Sequence, residues 1–476
     1  MHKPIISRAG RTVLPLTLVV LLAACGLNPT YDKPDLPLPD APAGEVVEVA
    51  PKWWEAFQDP VLNNLVDKAL ERSPSVELAM ARVDEARAVL GITSSEQLPQ
   101  VNGSAGASRG QRSESVYGAP QSIANSYSVG LSASWELDLW GRVRNSTAAA
   151  RANLLASEYA LDGARLTLAA SVAEQYFALQ SSLAGLETSR KTVETRKASY
   201  ELRKKQFEGG ITSELDMRQA ETEVATARSQ ELDFATRVNQ QESALSVLVG
   251  QSPRELFAEG ITPTKQESSK LVAAGTVPSG LPSDLLLRRP DIQQAEQNLR
   301  ASQAKVSAAR AAYFPRISLT GFLGLESGQM STLFDSASGA WSFAGNLAMP
   351  IFNSGLTAAQ VDQARAQEKA AVATYRQAVS QAFADTRAAL RNYQAAEQKH
   401  AVLAAEQDVL KRQLYLANLR YNNGYSSYLE VLDSERSLFQ GELSLEDALR
   451  QKRVALVTLY KVLGGGWQVP GQDGKS

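Results

Sequence analysis

The stretch Val129-Gly130-Leu131-Ser132-Ala133-Ser134-Trp135-Glu136-Leu137 decides the fold. It alternates strictly: Val129, Leu131, Ala133, Trp135 and Leu137 project to one face of an extended chain, and Gly130, Ser132, Ser134 and Glu136 to the other. A second stretch does the same, with Trp341, Phe343, Leu347 and Met349 against Ser342, Ala344, Asn346 and Ala348. Two further runs begin at Val101 and Ile317, the latter placing Ile317, Leu319, Leu323 and Leu325 on one face. Each has about the nine to eleven residues that a tilted strand needs to cross a bilayer between an apolar exterior and a polar interior. Trp135 and Trp341 suit an interfacial aromatic belt. Four strands cannot close a barrel, and an open edge in lipid leaves backbone groups unpaired at a cost of several kcal/mol each. Closure therefore needs other copies of the chain: two copies give eight strands and a filled interior, three give twelve, which enclose water.

The strands recur because the chain is duplicated. Leu98-Pro99-Gln100-Val101 returns as Phe314-Pro315-Arg316-Ile317, and Gln206-Phe207-Glu208-Gly209-Gly210 as Arg420-Tyr421-Asn422-Asn423-Gly424, at nearly the same offset. A period near 215 is too long for a solenoid unit and describes a duplicated half-molecule, which builds a symmetric wall more readily than a catalytic pocket. Proline is absent between Pro120 and Pro253 and between Pro350 and Pro470, and both stretches are rich in Ala, Gln, Glu, Arg and Leu. They predict long helices at 142–208, 213–249, 356–421 and 426–463, broken at Gly209-Gly210 and at Asn422-Asn423-Gly424. Helices at 74–97 and 290–312 are expected to stack end to end on the shorter members. Leu445, Leu449, Leu456, Leu459 and Leu463 follow coiled-coil spacing, and Ala358, Ala359, Ala370, Ala371, Ala388 and Ala389 allow close approach along the helix from 356.

The N-terminus sets the compartment. Lys3, Arg8 and Arg11 precede an apolar run from Val13 to Leu22, and Leu22-Ala23-Ala24-Cys25-Gly26 follows, a signal peptide too short for a spanning helix. Its cleavage region resembles the bacterial lipobox, in which the cysteine becomes the first mature residue and is acylated. By resemblance to sorted lipoproteins, Gly26 in place of Asp after the cysteine favours the outer membrane. Cys25 is the only cysteine, which excludes an internal disulfide and a thiolate metal cluster. Loss of a leader with three cations and no acid takes the net charge from −2 to about −5, so nothing asks for nucleic acid. The two histidines, His2 and His400, leave almost no imidazole chemistry, and no catalytic motif or metal site is visible. The chain is thus expected to be no enzyme and to carry no cofactor beyond a covalent lipid on Cys25. Pro29, Pro34, Pro37, Pro39, Pro42 and Pro51 make residues 25–52 an extended linker.

With Pro51-Lys52-Trp53-Trp54-Glu55-Ala56-Phe57, Trp135 to Arg142, Arg288-Arg289-Pro290-Asp291-Ile292, Pro350-Ile351-Phe352 and Leu463-Gly464-Gly465-Gly466-Trp467, the chain resembles the TolC/OprM-type outer membrane factors, the exit ducts of tripartite efflux pumps and type I secretion systems. Arg-Arg-Pro-Asp-Ile and the terminal Gly-Gly-Gly-Trp are similar to the lipidated branch serving resistance-nodulation-division (RND) multidrug pumps. The resemblance implies a homotrimer, a trimeric twelve-stranded β-barrel with four strands per protomer in the outer membrane, and a long α-helical periplasmic barrel. It also implies two partners, a periplasmic adaptor and an inner membrane pump. The expected layout is signal peptide 1–24, anchored linker 25–52, first repeat 53–262, inter-repeat linker 263–282, second repeat 283–466 and tail 467–476.

By the same resemblance Asp216, Tyr421, Glu430 and Asp433 align with the periplasmic gate, where an acidic ring narrows the lumen. Ser426 and Leu215 stand where the best-known member carries arginine and threonine, so the ties differ in detail. Gln206, Gly209, Gly210, Arg420 and Gly424 mark two hairpin tips at which adaptor hairpins are expected to dock. The alternatives are a type I secretion or metal-cation efflux duct, against which five methionines and two histidines count, and a lipid-anchored periplasmic coiled-coil adaptor, which would lack the strands.

Overall fold

The computed structural model describes residues 48–50, 52–111, 123–257 and 287–468. The signal peptide, Cys25, most of the 25–52 linker, the 263–282 linker and most of the tail lie outside them. The chain divides into two compact units, and each sequence repeat contributes to both.

The first unit holds residues 82–158 and 294–376. Strands β2 (Gln100–Gln111), β3 (Ile123–Leu137), β4 (Arg316–Ser327) and β5 (Gly339–Ala348) form one antiparallel sheet in the order β2-β3-β4-β5. Gly103, Leu131, Leu323 and Trp341 stand in one row across it, and Asn102, Ser132, Phe322 and Ser342 in the next. Successive rows face opposite ways, so the register carries the apolar-against-polar alternation through the whole sheet. Leu131, Leu323, Trp341, Phe343 and Leu347 are all exposed on the apolar face. Phe322 is the departure, an aromatic in a polar row. Its ring lies over Gly130 and Gly324, where an added Cβ would come within 2.8 Å of it, so the glycines make its seat.

Strand β3 begins six residues before the alternating stretch, because β2 pairs with it from Gln111 opposite Ile123. Trp135 and Trp341 lie four rows apart, about 13 Å along the strands, less than the apolar band of roughly 25 Å. They therefore do not mark opposite interfaces. The Trp135 indole N–H donates to the Gln97 carbonyl at 3.0 Å.

Past β3 the chain turns into helix α3 (Arg142–Glu208). The Asp138 carboxylate accepts from the Val143 and Arg144 N–H groups at 3.1 and 2.8 Å, capping the helix. Trp140 stacks on Phe314 and donates to the Pro315 carbonyl at 2.7 Å. Arg142 forks onto Glu136 at 2.9 and 3.0 Å. Gly141 and Gly355 make the two equivalent turns at φ 81° and 84°, a region open to glycine.

The second unit holds residues 37–81, 159–293 and 377–476, of which the described part contains α1 (Pro60–Arg72) and the start of α2 (Pro74–Ser95). It also holds most of α3, α4 (Glu214–Val249), the start of α5 (Pro290–Ala311), the later part of α6 (Leu356–Asn422) and α7 (Tyr428–Val462). Trp53 stacks on Tyr460 at 5.3 Å and Phe57 lies against Phe177 at 5.0 Å, in a core with Leu62, Val172, Leu245, Leu459 and Leu463. Buried Asp59 caps α1 through the Val61 and Leu62 N–H groups and accepts the Tyr176 hydroxyl at 2.6 Å. The short helices meet as the sequence predicts. A Cβ on Gly250, past α4, would strike the Arg72 carbonyl at 2.7 Å just before α2, and Gly464, past α7, lies against Arg289 just before α5. Arg289 ties that second junction, donating to the Val462 carbonyl at 3.0 Å and pairing with Asp291 and Asp385. A short pair, β1 (Glu48–Ala50) with β6 (Gly466–Gln468), completes this unit.

The alanine seam is narrower than its sequence suggests. Within one protomer Ala389 is buried and Ala371 half-buried, whereas their neighbours Ala388 and Ala370 are exposed, because adjacent helical positions point about 100° apart; Ala358 and Ala359 are both exposed. No described helix is long and apolar enough to cross a membrane.

Candidate functional site

The two helix breaks fold identically. Gly209, Gly210 and Ile211 donate to the carbonyls of Lys205, Phe207 and Gln206, and Asn423, Gly424 and Tyr425 donate to those of Leu419, Tyr421 and Arg420. Gly210 and Gly424 adopt φ 73° and 75°, the left-handed turn that ends a helix and satisfies its last carbonyls. Gln206, Gly209, Gly210, Arg420 and Gly424 thus occupy two equivalent tips. Ser213 then caps α4 by accepting the Asp216 N–H at 3.2 Å, while Ser427, in the same place before α7, makes no such bond.

The residues beside these tips do not pair as a single cluster. Tyr421 is engaged by Arg203, whose guanidinium lies 4.5 Å from the Tyr421 ring and 4.2 Å from the Tyr428 ring. Arg203 also donates to the Tyr421 hydroxyl at 2.9 Å and to Gln206 at 2.7 Å. The Tyr428 hydroxyl shares a hydrogen bond with Ser199 at 3.0 Å. One buried cation therefore joins the end of α3 to the end of α6 and the start of α7. Asp216 accepts the Thr212 hydroxyl at 2.7 Å. Burial disfavours its charge, but the Thr212 and Ser213 hydrogen bonds and the Arg203 charge outweigh this and hold its carboxyl below the usual range. Glu430 pairs with Arg420 at 3.3 Å, both partners about half exposed. Glu430 and Asp433 line an open groove of about 630 Å³ with Arg412, Leu416 and Arg420.

Further along the same helices Glu223 is buried between Arg196, at 2.8 Å, and Arg436, at 2.6 Å. Beside it lies a cavity of about 380 Å³ lined by Lys191, Arg196, Glu435, Glu442 and Glu446 among others. Burial pushes all three glutamates upward against the opposing charges of Arg196, Arg203, Lys191, Lys411 and Arg453. A carboxyl raised in the folded state stabilises the fold below its unfolded value, and that contribution is lost as pH rises through the raised value. Glu446→Gln is therefore expected to raise the thermal midpoint at pH 7. The advantage should vanish near the ordinary carboxylate value of about 4.3, and a pH-independent change would contradict this.

Arg196, Arg203 and Tyr428 escape sequence reading, yet a signal exists. At the offset that carries Gly210 to Gly424, their counterparts in the other repeat are Leu410, Ala417 and Glu214, so the site uses positions at which the two repeats differ in chemistry.

A family model described as "Outer membrane efflux protein" matches residues 65–251 and 281–465. The toluene efflux pump outer membrane protein TtgI of Pseudomonas putida is 37% identical over 474 residues, covering 96% of this chain and 98% of that one. The cation efflux system protein CusC of Escherichia coli K12 is 34% identical over 468 residues, covering 95% and 99%. The crystal structure of the Campylobacter jejuni CmeC outer membrane channel superposes with a TM-score of 0.84 at 27% identity, covering 94% of this chain and 96% of that one. The fold class is accordingly that of the trimeric channels, four barrel strands per protomer with long helices. The chain belongs to the outer membrane efflux protein family, as a passive outer membrane channel of tripartite efflux systems and not an enzyme.

Proposed function

We propose that three copies form the exit duct of an RND-type pump that exports organic compounds, gated at the tips by Asp216, Tyr421, Glu430 and Asp433. The observation that carries this reading is the four-stranded sheet with one exposed apolar face and two open edges, which in lipid needs partners on both sides. A periplasmic adaptor docks at the tips around Gln206, Gly209, Gly210, Arg420 and Gly424, and an inner membrane pump supplies the energy. TtgI is named for toluene and CusC for cations. Among the described residues no cluster of three or more His, Cys, Asp or Glu side chains that could hold a metal occurs, and five methionines with two histidines in the chain give little for relaying a soft metal. Organic cargo is therefore favoured. Deletion of the gene should raise intracellular accumulation of toluene and lipophilic dyes and leave copper and silver tolerance unchanged. Metal sensitivity alone would overturn the cargo class.

Cys25 is the proposed acyl anchor, with residues 25–52 as its tether. Cys25→Ser should abolish incorporation of labelled palmitate yet leave heat-resistant trimers, since barrel closure and not the acyl chain holds the assembly. Labelled fatty acid in the Ser variant would remove the anchor.

A further inference from the structure

Helix α7 turns three carboxylates toward α3. Glu435, Glu442 and Glu446, at steps of seven and four, share one helix face and line the cavity of about 380 Å³ with Lys191 and Arg196 of α3. Among the described residues none of the three is hydrogen-bonded or ion-paired. The cations that face them are committed elsewhere. From α3, Lys191 pairs with Glu187 at 2.7 Å, Arg196 with Glu223 of α4 at 2.8 Å, and Arg203 donates to Tyr421 at 2.9 Å. From α6, Lys411 donates to Gln407 at 2.9 Å, and on α7 itself Arg453 donates to Gln180 at 2.9 Å. Glu446 also borders a second cavity, of about 660 Å³, with Arg237, Lys399 and the Asp447–Arg450 pair, and gains no bond there.

Resting on the gated duct proposed above, we infer that Glu435, Glu442 and Glu446 make the α3–α7 seam a proton-operated latch for the tips. Protonated, the three leave the helices packed about the cavity. Ionised, they call in water, because a half-buried carboxylate without a partner is costly, and they compete for Arg196 and Arg203. Arg203 is the cation that ties Tyr421. Glu435 stands nearest that tie: the charges acting on it are Arg196, Glu223 and Arg203, and it acts in turn on Tyr428. Seven residues, two turns or about 10 Å, separate Arg196 from Arg203 on α3 and Tyr428 from Glu435 on α7. The cavity and the tie are therefore consecutive contacts of the same two helices.

Proton linkage sets the direction. Burial pushes all three carboxyls upward, so the packed seam holds protons that a hydrated seam releases. Acid then favours the closed tip and rising pH the loosened one. The window opens above the ordinary carboxylate value of about 4.3.

Glu435→Gln combined with Glu442→Gln and Glu446→Gln fixes the uncharged form. It is compared with the wild type, both purified as trimers, at about pH 4.5, near the ordinary carboxylate value, and at about pH 7.5. All other titrations are common to the two proteins, so their difference reports the cavity. Hydrogen exchange in the 435–446 segment should be several-fold faster in the wild type at the higher pH and alike in acid. In planar bilayers the wild-type open probability should fall several-fold on acidification, while the triple variant stays at the low level throughout. Glu435→Gln alone, with the same sign and a smaller effect, serves should the triple change disturb assembly. Slower exchange in the wild type at the higher pH would mean that ionised carboxylates brace the seam through Lys191 and Arg196, and would overturn the latch. The expected exchange with an equal acid response of both channels would cut the cavity off from the tips and overturn it too. Bilayers silent with both trimers would overturn the duct reading instead, and the exchange measurement would still decide the seam.

Discussion

Lysine in place of Leu131 or Phe343 is expected to abolish the heat-resistant trimer in outer membranes, whereas lysine at Ser132 or Ala344 leaves most of it intact. Leu131 and Phe343 are 55% and 71% exposed on the apolar face, and Leu131 shares its row with Leu323 and Trp341. A lysine facing lipid near the midplane costs about 2 to 4 kcal/mol, and a closed assembly of three copies repeats that cost at each one. Ser132 and Ala344 occupy the alternate rows with Asn102, Ser318 and Asn346 on the same polar face, where a cation stays hydrated. Equal loss of trimer from both sets, read on unheated gels, would contradict the face assignment and the register with it.

Loosening of the tips should have the next largest effect. Arg203→Ala removes two cation–π contacts, about 0.5 to 2 kcal/mol each, and a charge-assisted bond to Tyr421 of about 1.5 to 3 kcal/mol. The α3 end is then held to the α6 and α7 ends more weakly in every copy, by the Ser199–Tyr428 hydrogen bond and apolar packing. Single-channel conductance or open probability in planar bilayers should rise several-fold. Tyr421→Phe keeps the ring over Arg203 and removes only the acceptor, so its change should be in the same direction and smaller. Neutralising Glu430 and Asp433 together should instead weaken cation selectivity, because carboxylates around a lumen favour cations. Conductance unchanged in Arg203→Ala would place the constriction elsewhere.

Much of this architecture is legible because it rests on local rules. The break at Gly209-Gly210 ends α3 at Glu208, and proline-free runs forecast α6 and α7 to within two residues. α7 starts at Tyr428 and not at 426, since Ser426 lies in the bend after the turn and Ser427 is extended ahead of the helix. The first part of β3, Ile123 to Ser128, is invisible to periodicity because Asn125 and the serines blur the alternation, and only pairing with β2 reveals it. The site is less legible. Asp216 and Tyr421 stand by the tips in sequence, and the partner of Asp216, Thr212, is a local one four residues away, but the partner of Tyr421, Arg203, follows from tertiary packing. Tyr421 meets a cation contributed by a helix 218 residues away, a contact no local pattern encodes.

Assembly of this chain into a channel closed at its tips is read out by single-channel recording of the purified wild-type protein beside Arg203→Ala in planar bilayers. Small, cation-selective unitary steps from the wild type and distinctly larger or longer ones from the variant are predicted. Membranes that remain electrically silent with both proteins, although each migrates as a heat-resistant trimer, would contradict it.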